Sequence, residues 1–147
     1  MSEALAKRRL KLWIRLLRVT RASEAHLRDY LRRNHATTLP RFDVMAALYR
    51  MRSGVSMSEL SRRLLVSNGN ATTVVDRLEA DGLVRRTPSP TDRRSVFVAL
   101  TERGEQEFAV QAAGHEQQVD GLFSTLSEAD LDRVGDVLKR VFGEAQA

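Results

Sequence analysis

The chain has 147 residues, 29% of them charged and 5% aromatic, with a formal net charge of +5 at pH 7 and no cysteine. That length suits one domain that buries its core without covalent staples, and the missing thiol excludes thiol catalysis, iron–sulfur clusters, zinc ribbons and disulfide frameworks. Three histidines far apart in sequence (His26, His35, His115) make a poor zinc set, and the longest unbroken apolar run, Val44 to Tyr49, is far short of the ~18 residues of a membrane span. The opening MSEALAKRRLKLW has no apolar signal-peptide core. A cytoplasmic protein with no cofactor, no metal and no membrane partner is expected. The charge is uneven: residues 1–50 carry twelve bases and four acids, and residues 101–147 carry four bases and ten acids. A basic front suits a polyanionic partner, although a soluble Arg-rich helical protein shows the same balance.

Residues 5–35 read as one long helix. No Gly or Pro occurs before Pro40, and Leu10, Trp13, Leu17, Leu27 and Leu31 recur at helical spacing. A helix of about thirty residues is ~45 Å long, more than one small domain can cover, so part of it needs another surface. Pro40 suits the first turn of a second helix, with Phe42, Met45, Ala46 and Tyr49 as its stripe and Gly54 as its end. Ser56 and Glu59 form a capping box for a short helix that buries Met57, Leu60 and Leu64. LLVSNG breaks it, Ser67 caps the next helix, and Ala71, Val74, Val75 and Leu78 form an inward stripe before Asp81-Gly82 stops it. Leu83–Thr87 and Ser95–Leu100 are β-type runs around the turn PSPTDRR, which makes a hairpin. Thr101 starts a helix to about Phe123, with Gly104 and Gly114 arguing against its regularity. Ser127 with Asp130 caps a last helix whose apolar face is Leu131, Val134, Val137, Leu138 and Val141.

The predicted fold is mainly α with a small β-hairpin. It comprises a winged helix–turn–helix domain at 38–100, flanked by dimerisation helices at 5–35 and 101–145, in a single unit over 1–147. In the helix after Ser67 the inward stripe is spent, which leaves Asn68, Asn70, Thr72, Thr73 and Arg77 outward. Small polar residues on the first turns suit a major groove: Asn can pair with adenine and Thr can touch a thymine methyl or a phosphate. Asn70 and Thr73 are expected on the face opposite the buried stripe. Arg93 and Arg94 at the hairpin tip suit a minor groove, with Asp92 holding a neighbouring guanidinium. Each feature alone also fits an ordinary solvated surface; together, in this order, they favour DNA.

Residues 40–104 resemble the MarR family of bacterial winged helix–turn–helix regulators. The stretches that carry this are MSELSRRLLVSNGNATTVVDRLEADGLVRR, then PTDRRS, then VALTERG. Within them stand the family's D-R-L-E-x-x-G-L-V run (Asp76 to Val84), its D-R-R wing (Asp92 to Arg94) and its L-T-x-x-G step (Leu100 to Gly104). The resemblance implies a homodimer that binds a pseudo-palindromic double-stranded operator and usually represses. It also implies a small-molecule pocket where the first, second and fifth helices meet the winged domain. Peroxide sensing through cysteine and zinc sensing, both used within the family, are closed to this chain. LKLWIRLLRVT and TTLPRFDVM are similar to MarR-type repressors of aromatic-acid catabolism, some of which respond to hydroxycinnamates or their coenzyme A thioesters. On that likeness Trp13, Phe42 and Met45 would meet an aromatic acyl group, Arg15, Arg18 and Arg21 an anion, and His115 the pocket wall. The competing readings are a winged-helix module that binds protein, a regulator with an unrelated effector, and an enzyme. The last lacks a nucleophile–base pair or a phosphate loop.

Overall fold

The computed structural model describes residues 2–64, 68–92 and 94–143, except for the side chains of residues 2, 3 and 68. Helix α1 (Ser2–His35) runs 34 residues, about 51 Å. Only its C-terminal third meets the core: Leu27 and Leu31 are buried, while Leu5, Leu10, Leu12, Trp13, Ile14 and Val19 are exposed. It ends without a glycine. Ala36 takes the left-handed φ of +49°, and the Thr37 amide then reaches back to the Leu31 carbonyl at 3.3 Å.

Thr38 caps α2 (Leu39–Arg50) by accepting from the Arg41 amide, with Pro40 in the first turn as expected. Phe42, Val44, Met45 and Leu48 are its buried face. Gly54, at φ +93°, turns the chain into a strand that the sequence pattern did not reveal, β1 (Val55–Ser56). Two residues are too few to display a period of two. Helix α3 (Met57–Leu64) follows, and Ser56 Oγ accepts from the Glu59 amide at 3.1 Å. Of the expected capping box only this half is formed, because the Glu59 carboxylate is held by Arg62 and Arg63. Helix α4 (Asn68–Ala80) packs Ala71, Val75 and Leu78 inward; its proposed cap, Ser67, lies outside the described residues. Gly82 at φ +75° closes α4, with the Leu83 amide bonded to the Leu78 carbonyl.

Strands β2 (Val84–Pro88) and β3 (Val96–Leu100) pair antiparallel, Val84 opposite Leu100 and Pro88 opposite Val96. β1 adds to the other edge of β3, giving a three-stranded sheet in the order β1-β3-β2 rather than a bare hairpin. Helix α5 (Glu102–Leu122) then runs unbroken through both of its suspect glycines. They are contact points: a Cβ at Gly104 would lie 2.0 Å from the Leu83 carbonyl oxygen, and one at Gly114 would lie 1.9 Å from the Tyr30 hydroxyl. Gly104 seats α5 against the start of β2, and Gly114 seats it against α1. The capping box of Ser127 and Asp130 opens α6 (Glu128–Phe142), none of whose residues is buried. The core lies between the winged unit and the C-terminal part of α1, with Leu31 of α1 joining Met45, Leu48, Leu60, Val75, Leu78 and Val98 at its centre.

Two opposite substitution effects follow. Ala36→Gly relieves a left-handed alanine and is expected to raise stability by about 0.5–1 kcal/mol. Gly104→Ala forces α5 off β2 and is expected to cost about 1–3 kcal/mol or more. Urea unfolding of each variant measures both signs.

Candidate nucleic-acid interface

Two elements project from the winged unit, the polar side of α4 and the tip between β2 and β3. Along α4, Asn70, Thr72, Thr73 and Arg77 are all exposed, as the inward stripe requires. Thr73 turns its hydroxyl back to the Gly69 carbonyl at 3.0 Å, four residues earlier. Asn70 and Thr73 also line a groove whose other walls come from α2 and α3. Asn68 lies in the first turn of α4, and its side chain is outside the described set. Ser67 and Arg93 are also outside the described residues.

The tip is shaped by short polar bonds. Ser89 is buried at 8% exposure; its amide reaches the Ser95 carbonyl at 3.0 Å, and its hydroxyl accepts from the amides of Thr91 and Asp92. Asp92 was expected to hold a guanidinium. Its carboxylate accepts from the Arg94 amide at 2.9 Å and from the Ser95 hydroxyl; Arg93, one of its two neighbouring guanidinium groups, lies outside the described residues. Arg94 is left exposed at the tip.

What locks helix to wing is a residue that pattern reasoning passed over. Arg86, on β2, reaches Asp76 at 2.6 Å and Glu79 at 3.1 Å, and its amide donates to the same Glu79 carboxylate at 2.9 Å. A guanidinium N–H also approaches the Thr72 carbonyl at 3.5 Å. Burial disfavours the Arg86 charge, but the bonds to Asp76 and Glu79 outweigh it and raise its pKa further. A second tie joins Arg41 of α2 to Asp81 at the end of α4, at 2.6 Å. The available signal was the spacing: Asp76 and Glu79 share one side of α4, and an arginine follows just past the Gly82 turn.

The effector candidates fall in two places. Phe42 stacks on His115 with centroids 4.4 Å apart and planes at 22°, and it also meets Phe108 at 5.4 Å. Burial lowers the His115 pKa, which favours the neutral ring. Met45 is fully buried in the core, so it presents no surface in this structure. Trp13, Arg15, Arg18 and Arg21 are exposed on the N-terminal arm of α1. Trp13 lies about 21 Å along the helix from Leu27, where α1 enters the core. Within one chain, Trp13 and these arginines are not brought to Phe42 and His115.

Arg86→Gln should therefore detach the wing from α4 while leaving the core intact. A half-exposed network of this kind is worth about 1 kcal/mol. The expected result is faster amide exchange in β2 and β3, with exchange in α2 unchanged.

Residues 37–96 match the MarR family. The chain is 31% identical over 137 residues to the HTH-type transcriptional regulator MhqR of Bacillus subtilis, covering 93% of each. A cysteine-to-serine mutant of MarR from E. coli, complexed with operator DNA, superposes with a TM-score of 0.79 at 26% identity, over 89% of this chain and 93% of that one. A MarR family transcriptional regulator from Streptomyces coelicolor in complex with DNA gives 0.82 at 26% identity, over 92% and 86%. With its three-helix turn, its Arg86-locked wing and these likenesses, the chain belongs to the MarR family and is a DNA-binding transcriptional regulator, not an enzyme.

Proposed function

We propose that the protein is a homodimeric repressor that binds a pseudo-palindromic operator and is released from it by a small aromatic carboxylate or its coenzyme A thioester. The observation that carries the DNA half is the pairing of α4 with the wing tip as two projecting elements held at one spacing by Arg86. In this reading Asn68, Asn70, Thr72 and Thr73 face base edges, and Ser67 and Arg77 meet phosphate. Arg93 and Arg94 enter the minor groove, and Asp92 shapes the tip. The dimer is supported by the apolar residues left exposed on both terminal segments, among them Trp13, Ile14, Leu131, Val134 and Val141. A two-fold axis would set the two α4 helices roughly 34–36 Å apart, one turn of DNA.

The effector half is supported by chemistry at the two candidate places. Phe42 and His115 offer a flat aromatic surface. The arm offers Trp13 and a run of arginines with no acid from residue 4 to residue 23. Because these lie apart in one chain, the pocket is completed only when two chains assemble. Filling it changes the spacing of the α4 helices, provided the ligand binds the free dimer more tightly than the DNA-bound one.

Three measurements test this reading. Arg94→Ala is expected to weaken binding and to lower the salt slope by about 1 for each site lost; an unchanged slope removes Arg94 from the interface. Asn70→Ala should relax specificity at one position per half-site and cost about 1–3 kcal/mol there, whereas Arg77→Ala should weaken all sequences alike. Titration with benzoate, p-coumarate, ferulate and their thioesters should quench Trp13, the only tryptophan, and release DNA. Silence from all of them at millimolar concentration rejects this ligand class.

A further inference from the structure

On the outer side of α4, Gly69 and Thr73 stand one above the other, four residues apart and turned away from Ala71, Val75 and Leu78. Both are exposed. The Thr73 hydroxyl donates to the Gly69 carbonyl oxygen at 3.0 Å. A helical threonine has this option because the carbonyl four residues earlier lies within reach of its Oγ1. The bond uses the one hydroxyl proton inside the helix and holds Oγ1 against the backbone. The γ-methyl is then the group that Thr73 presents outward.

Gly69 points the same way. Its φ is outside the left-handed region, so the backbone does not require glycine there. A Cβ at Gly69 would meet no described atom within 4 Å beyond its own stretch of helix. Glycine lowers helix propensity, and neither backbone nor packing among the described residues offsets that. The bare first turn leaves room for a body outside the chain to approach the Thr73 methyl closely.

In a major groove, a hydroxyl with a free proton can donate to guanine, to thymine O4 or to a phosphate. A methyl can do none of these. Its apolar partner there is the 5-methyl of thymine, the one methyl that the four base pairs present in that groove. We propose that Thr73 sets specificity for thymine: its γ-methyl packs on a thymine 5-methyl at one position per half-site, beside the space left by Gly69, and its hydroxyl takes no part in reading. This rests on the assignment of α4 as the helix that enters the major groove.

The test uses the full chain and a duplex selected from a random pool for tight binding. Thymines of one half-site are replaced singly by deoxyuridine, which pairs identically and lacks only the methyl. With the wild type, one replacement is expected to weaken binding about threefold to tenfold, as the loss of one buried methyl contact does. Thr73→Ser keeps the hydroxyl and loses the methyl. It should bind the unmodified duplex more weakly by a similar factor and be indifferent to that replacement, so the two losses do not add. Thr73→Val keeps a methyl and loses the hydroxyl. It should bind like the wild type and stay sensitive to the replacement. Circular dichroism checks the fold of each variant. No sensitive thymine, additive losses in the Thr73→Ser and deoxyuridine pair, or a Thr73→Val that behaves like Thr73→Ser overturns the methyl reading. Gly69→Ala should weaken binding about tenfold; unchanged binding overturns the part given to Gly69. Asn70→Ala checks the placement of α4 separately. If it discriminates sequences like the wild type, the inference falls with the assignment of α4. If it loses specificity while Thr73→Ser silences no replacement, the inference alone falls.

Discussion

Arg86 bridges α4 and the wing, and the relative position of these two projections depends on that bridge. DNA presents its grooves at fixed separations, so a protein that touches two of them must hold two projections rigidly apart. The base of the hairpin is anchored in the core through Val84 and Val98, but its outer end, with Thr87, Pro88 and Val96 exposed, has little packing of its own. The guanidinium supplies the missing constraint by spanning Asp76, Glu79 and the Thr72 carbonyl from one side of β2. Gly82 makes this reach possible, since its left-handed turn brings β2 back alongside the helix it has just left. Gly104 then lets α5 close on the Leu83 carbonyl at the same corner. Helix, turn, wing and outgoing helix meet within a few residues, and a change at any of them moves the others.

The terminal segments follow a different logic. α6 buries none of its residues, yet it carries Leu131, Val134, Val137, Leu138 and Val141 on one side. The first half of α1 is similarly bare. Exposed apolar stripes of this extent cost solvation free energy that nothing within one chain recovers. The core of the winged unit takes Leu31 from α1 and Phe108 from α5, and no residue of α6. Folding of the winged unit therefore does not draw on the apolar faces of α6 and of the first half of α1.

The parts of this layout that were legible in the sequence are those governed by local rules. Pro40 in a first turn, Thr101 and Ser127 as caps and Gly82 as a stop each act through their own backbone, and each stands where the sequence placed it. The inward stripe of α4 was legible because a period of 3.6 repeats over thirteen residues. Three features were not legible, and all three depend on pairing across distance. β1 exists only because β3 offers it an edge. Gly104 and Gly114 read as helix breakers, but their meaning comes from Leu83 and Tyr30. The Asp76–Glu79–Arg86 network joins a helix to a strand through side chains whose types are common on any surface.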